Sequence, residues 1–82
     1  MAFTAKLVAV TVFDASVGID VEFTNGIDRT YTRPYRLDPA MTLAAIRADV
    51  KTKAQAELAR LAQSETRAAQ IIPFIGSDIA AL

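Results

Sequence analysis

The chain has 82 residues, neither cysteine nor histidine, and nine basic against nine acidic side chains, for a formal net charge of zero. That composition excludes disulfides, thiol nucleophiles, histidine-based triads and the usual zinc sites, and it withholds the positive excess that nucleic-acid binders carry. A domain this small buries a modest core and often leans on a disulfide, a metal or a partner chain; a carboxylate cluster for a hard cation stays open but no spacing points to one, so the support to expect is a partner chain.

The N-terminus MAFTAKLVAV does not read as a signal peptide, because its charge lies inside the apolar stretch and Asp14 soon follows. Phe3 to Phe13 is rich in β-branched and aromatic residues and reads as a strand. Val8, Val10 and Val12 fall on its even positions, and Phe3, Leu7 and Phe13 on its odd ones. Both faces are apolar, so this strand is expected to be covered on both sides. Asp14-Ala15-Ser16 supplies a turn. Val17, Ile19, Val21 and Phe23 then alternate with Gly18, Asp20, Glu22 and Thr24, giving a second strand with one dry and one wet face.

Asn25-Gly26 is a strong hairpin signal. A two-residue loop would set Thr24 opposite Ile27 and Val21 opposite Thr30. A three-residue loop, Thr24-Asn25-Gly26, pairs Phe23 with Ile27 and Ile19 with Tyr31, so that the apolar rows agree and Thr30 and Thr32 lie beside Asp20 and Glu22. Register follows the hydrophobic pattern where one face is buried, which favours the longer loop. The third strand carries RTYTRPYR, in which Arg29, Tyr31, Arg33 and Tyr35 share one side. Pro34 makes it an edge strand or ends it. In the favoured register the tyrosines join the core row and the arginines lie along its margin, with their stems on apolar surface and their heads in water.

Asp38-Pro39 is a helix start signal, with Thr42 as an alternative cap one turn later. From Ala40 to Ile72 there is neither glycine nor proline, and ten alanines fall between Ala40 and Ala69. The expectation is a helix of roughly 30 residues and 45 Å, stopped by Pro73, with a break at Gln63-Ser64-Glu65 as the alternative. Leu43, Ile46, Val50, Ala54, Leu58, Leu61, Ala68 and Ile72 form its apolar stripe. A heptad from Leu43 fails, because it would put Lys53, Glu57 and Arg60 in the seam. Val50, Leu61 and Ile72 recur every eleven residues instead, which suits a straight or slightly right-handed bundle. The ladder Asp49, Lys53, Glu57 and Arg60 reads as a solvated face.

The chain closes on IIPFIGSDIAAL, where Ile71, Ile72, Phe74, Ile75, Ile79 and Leu82 are apolar. Two fates are open to this tail: it folds back over the sheet, or it docks on another subunit. The whole reads as one α+β domain over 1–82. It comprises a three-stranded antiparallel β-meander (1–37), one long Ala-rich α-helix (38–72) and an apolar C-terminal docking tail (73–82).

Chemistry is sparse. Asp20 and Glu22 share a strand face and would suit acid–base work or a hard cation, but a wet face beside threonines is the simpler reading. The serines and threonines have no histidine to activate them, and Gly18, Gly26 and Gly76 are isolated, so no phosphate loop exists. An enzyme is not expected, nor is a cofactor or a metal. Arg29, Arg33 and Arg36, with Tyr31, Tyr35 and Lys6, are the candidate contacts for an anion or a partner. In a homo-oligomer the arginines would meet Asp14, Asp20 or Glu22 of the next chain.

In organisation the meander ending VEFTNGIDRTYTRPYRL and the helix DPAMTLAAIRADVKTKAQAELARLA resemble the small structural proteins of tailed bacteriophages. Those combine a few strands with one Ala-rich helix and assemble in rings or at the tail or head-tail region. The resemblance is one of architecture and transfers no residue roles. It implies a virion component, found in the virion or the host cytoplasm, with copies of itself or other virion proteins as partners. The expected function is assembly by self-association and docking to partner subunits, with Ile71, Ile72, Phe74, Ile75, Ile79, Leu82, Val50 and Leu61 as the candidate interface. The alternative is a small nucleic-acid-binding module using the Arg/Tyr strand 29–36, and no membrane span is expected.

Overall fold

The computed structural model of the chain describes residues 3–81. Three strands, β1 (Thr4–Val12), β2 (Val17–Thr24) and β3 (Thr30–Leu37), form an antiparallel meander in that spatial order. A single helix follows, α1 (Leu43–Ile71), and then two 3-10 turns, Ile72–Phe74 and Ile79–Ala81.

In β2, Ile19, Val21 and Phe23 turn to one face and form the core with Leu37 and Leu61. Phe23 is completely buried and stacks on Tyr31, with ring centroids 5.4 Å apart. Ile46, Val50 and Leu58 of α1 pack against this cluster, as do Phe3, Ala5 and Tyr35.

The first strand departs from its expected double cover. Its pairing with β2 shifts between Leu7 and Ala9, leaving Val8 without a partner in the ladder. One extra residue inverts the alternation beyond it. Ala5 and Leu7 stand opposite Phe23 and Val21, and past the bulge Val10 and Val12 stand opposite Ile19 and Val17. Leu7, Val10 and Val12, which seem to occupy two faces, therefore share one, the face of the core row.

The hairpin loop is longer than expected. Phe23 pairs with Tyr31 and Ile19 with Tyr35, rather than with Ile27 and Tyr31. The Asn25 side chain explains this: its Oδ1 accepts from the backbone N–H groups of Ile27, Asp28 and Arg29 at 3.0, 3.2 and 3.0 Å. Asn25 N donates to Arg29 O at 3.1 Å and closes a five-residue loop, in which Gly26 takes a positive φ of 77°. The slip relative to the expected register is four residues, an even number, so every side chain keeps its expected face. Thr32 stands opposite Glu22, whereas Thr30 stands opposite Thr24. β3 is an edge strand that continues through Pro34 to Leu37.

Asp38-Pro39 makes a turn instead of opening the helix. Asp38 accepts from Ala40 N at its side chain and from Met41 N at its carbonyl. Thr42 is the cap, accepting from Ala45 N at 3.2 Å. The helix runs unbroken through Ser64, whose hydroxyl donates to the carbonyl of Arg60. At 29 residues it is about 43 Å long, whereas eight-residue strands span about 27 Å. It runs antiparallel to β3, with Lys53 and Glu57 near Tyr35, and Leu61 and Ala68 near Tyr31 and Arg29, and then overshoots the sheet. The molecule measures 56 × 23 × 18 Å with a radius of gyration of 17.4 Å, against about 12 Å for a compact domain of this length.

Candidate functional site

Along β3 the side chains of Tyr31, Arg33 and Tyr35 share a face with Phe23, Val21 and Ile19, so Arg33 is aimed at the helix. There it donates to Glu57 Oε2, and Arg60 Nε donates to Glu57 Oε1 at 2.5 Å. Glu57 is 6 % exposed, and this corrects the expectation of a fully solvated ladder. Asp49 and Lys53 are half-buried and paired at 2.8 Å. Burial alone would raise the Glu57 carboxyl, but the hydrogen bonds and charges of Arg60 and Arg33 outweigh it and hold the group below its ordinary value. Burial, reinforced by the Glu57 charge, pushes the Tyr31 phenol up. Its hydroxyl is buried without a well-aligned hydrogen-bond partner. A carboxylate saturated by two guanidinium groups has no proton to give near neutrality. This cluster fastens α1 to β3.

The Arg/Tyr strand is not one surface. Tyr31 and Tyr35 are half-buried beneath the helix, and Arg33 is held by Glu57. Arg36 lies on the opposite face of the sheet, 3.6 Å above the Phe13 ring and 3.1 Å from Ser16 Oγ. Gly18 makes room for that ring, since a Cβ there would come within 2.5 Å of Phe13 Cε2. Arg29 is at the far end, beside Phe3, Leu61 and Ser64. On the wet face Glu22 is 3.6 Å from Lys6, across the β1–β2 ladder.

Two apolar surfaces stay open. The first is a groove of about 560 Å³ between the end of β1 and the first turns of α1. Leu7 and Val10 form one wall, Leu43, Ile46 and Val50 the other, and Ile19 lies in its lining. The three rim residues Leu7, Val10 and Leu43 are 56, 60 and 70 % exposed, and Arg47 and Lys51 edge the opening. The second is the tail. Ile71, Ile72, Phe74, Ile75 and Ile79 are all exposed, Ile75 and Ile79 by about four-fifths. The tail lies past the helix end and does not cover the sheet. Leu82 lies outside the described residues.

The remaining two candidate interface residues divide differently. Leu61 is buried in the chain's own core, which removes it as a partner contact, while Val50 is half-buried and borders the groove. Sequence reasoning passed over Leu7, Val10 and Leu43 as docking residues. The signal was the doubly apolar pattern of β1, which a bulge converts into one overloaded face. Among the described residues no helix is long and apolar enough to cross a membrane. The chain matches no protein-family model, no curated protein and no solved structure.

Proposed function

We propose that this protein is a non-enzymatic assembly subunit that works by associating with copies of itself. The observation that carries this reading is its surface. A monomeric protein of 8.8 kDa exposes about 4,800 Å², whereas this chain exposes 6205 Å², roughly 1,400 Å² more than that scaling gives. Large aliphatic and aromatic side chains at both ends of the molecule contribute to the excess, and clustered apolar exposure marks interaction surfaces. Self-association accounts for both ends without a second protein. The resemblance to small phage structural proteins supplies a setting, a tail component of a virion. No observation favours the nucleic-acid alternative, because its tyrosines are half-buried beneath the helix, Arg33 is held by Glu57 and Arg36 lies on the opposite face.

Light scattering after size-exclusion chromatography at micromolar concentration tests the reading. A defined multiple of the chain mass is expected, and a single-chain mass would overturn it.

A further inference from the structure

Among the described residues the groove and the tail are two uncovered apolar surfaces, and the length of the helix separates them. Twenty-four residues of helix separate Arg47 at the groove rim from Ile71, about 36 Å at 1.5 Å per residue. A tail folded into two short turns cannot return over that distance to its own groove.

Building on the self-association reading, we infer that the tail of one copy, Ile71–Ala81, docks in the β1–α1 groove of the next. Three observations select this occupant. The first is shape. The tail is already folded with nothing covering it, by hydrogen bonds from Ile75 N to Ile72 O, Ser77 N to Phe74 O and Ala81 N to Asp78 O, at 2.9 to 3.0 Å. Gly76 turns the chain at a φ of 88°. A preformed hook loses little entropy on docking. The second is charge. After Arg67 the only charged side chain is Asp78, and the groove is edged by Arg47 and Lys51. One carboxylate arriving with an apolar hook meets two cations at the rim.

The third is area. Each copy offers one groove and one tail, so a head-to-tail assembly has one interface per copy. An interface that hid the whole excess of roughly 1,400 Å² per chain would bury that much in total, inside the usual range of about 1,200 to 2,000 Å². The two surfaces are different, so the contact is heterologous. It generates a ring if the rotation closes and a filament if it does not.

The test uses two variants of the full chain. The groove variant carries Val10→Asp with Leu43→Asp. Both positions are exposed, and an aspartate in the first helical turn suits the helix dipole. The tail variant carries Ile75→Asp with Ile79→Asp. Each variant alone should raise the dissociation constant at least 10-fold while keeping the wild-type circular dichroism. Mixed in equal amounts, they retain one intact groove and one intact tail, so a one-to-one heterodimer with nothing larger is expected. A charge exchange gives a second test that leaves the apolar contacts alone. Asp78→Lys weakens assembly, and Arg47→Glu with Lys51→Glu in the same chain restores it.

Wild-type oligomers that survive both variants would overturn the docking and leave self-association standing. Dissociation by the tail variant alone would mean tail-to-tail packing and overturn it equally. A monomeric wild type would remove the self-association reading itself.

Discussion

Between Ile46 and Leu61 the helix rests on a sheet; between Ile71 and Ala81 the chain has nothing beneath it. Both segments carry large aliphatic residues, but the first is Ala-rich and free of glycine and proline, whereas Pro73 and Gly76 interrupt the second. A second difference is what the meander can reach. Strands of eight or nine residues are shorter than a 29-residue helix, so the sheet stabilises only part of it. Fold stability is therefore concentrated around Phe23, while the capacity to associate lies in the overhang and in the groove left at the opposite end.

Substitution should separate these two regions sharply. The largest effect is expected at Phe23. Phe23→Ala removes a side chain that, alone among the large ones of the described residues, is completely buried, together with its stacking on Tyr31, and should cost about 3 to 5 kcal/mol. That is a large part of a small domain's total, so urea denaturation should find the variant largely unfolded at 25 °C.

Next in size is the Glu57 cluster. Arg33→Ala with Arg60→Ala leaves a buried carboxylate without cations. The cost should fall below that of Phe23→Ala and below the full figure for breaking a buried pair, because both arginines are themselves half-exposed. The same cluster sets the pH response. The Glu57 carboxyl is held below its ordinary 4.5, so its stabilising contribution is complete above that value and is lost as pH falls through the lowered one. Tyr31 behaves oppositely: its phenol is raised above the ordinary 10.0, so its contribution is complete below pH 10 and is lost as pH climbs through the raised value. Thermal melts of wild type and Glu57→Gln should converge in acid, whereas the alkaline loss should vanish in Tyr31→Phe.

A smaller effect belongs to the hairpin. Asn25→Ala removes the acceptor of three backbone N–H groups at a solvent-exposed loop. It should lower stability by about 1 kcal/mol without changing the assembly state. Smallest of all, Ile75→Ala should leave the stability of the isolated fold within about 0.5 kcal/mol, yet weaken association. A large loss of monomer stability there would erase the distinction between the two regions.

Much of the architecture could be read from the chain. The alternation of Ile19, Val21 and Phe23 identified the core face, and the long run free of glycine and proline identified the helix. The face of β3 was right although its register was not, because an even slip conserves the side of the sheet. Asn-Gly suggested a tight turn, and only the side-chain acceptor of Asn25, satisfying three consecutive N–H groups, lengthens the loop. Two other features depended on tertiary contacts invisible in a linear pattern. Glu57 looked like one rung of a surface ladder, and only the aim of Arg33 from a distant strand makes it a buried anchor. The groove was hidden because the alternation of β1 gave no sign of where its phase changes.

The most direct test compares the solution mass of the full chain with that of a chain ending at Gln70. The full chain should be a defined multiple of 8.8 kDa. The shortened one should be a single folded copy with the same sheet and a slightly shorter helix. A full-length chain that stays monomeric at micromolar concentration, or a shortened chain that assembles to the same number of copies, would contradict the account.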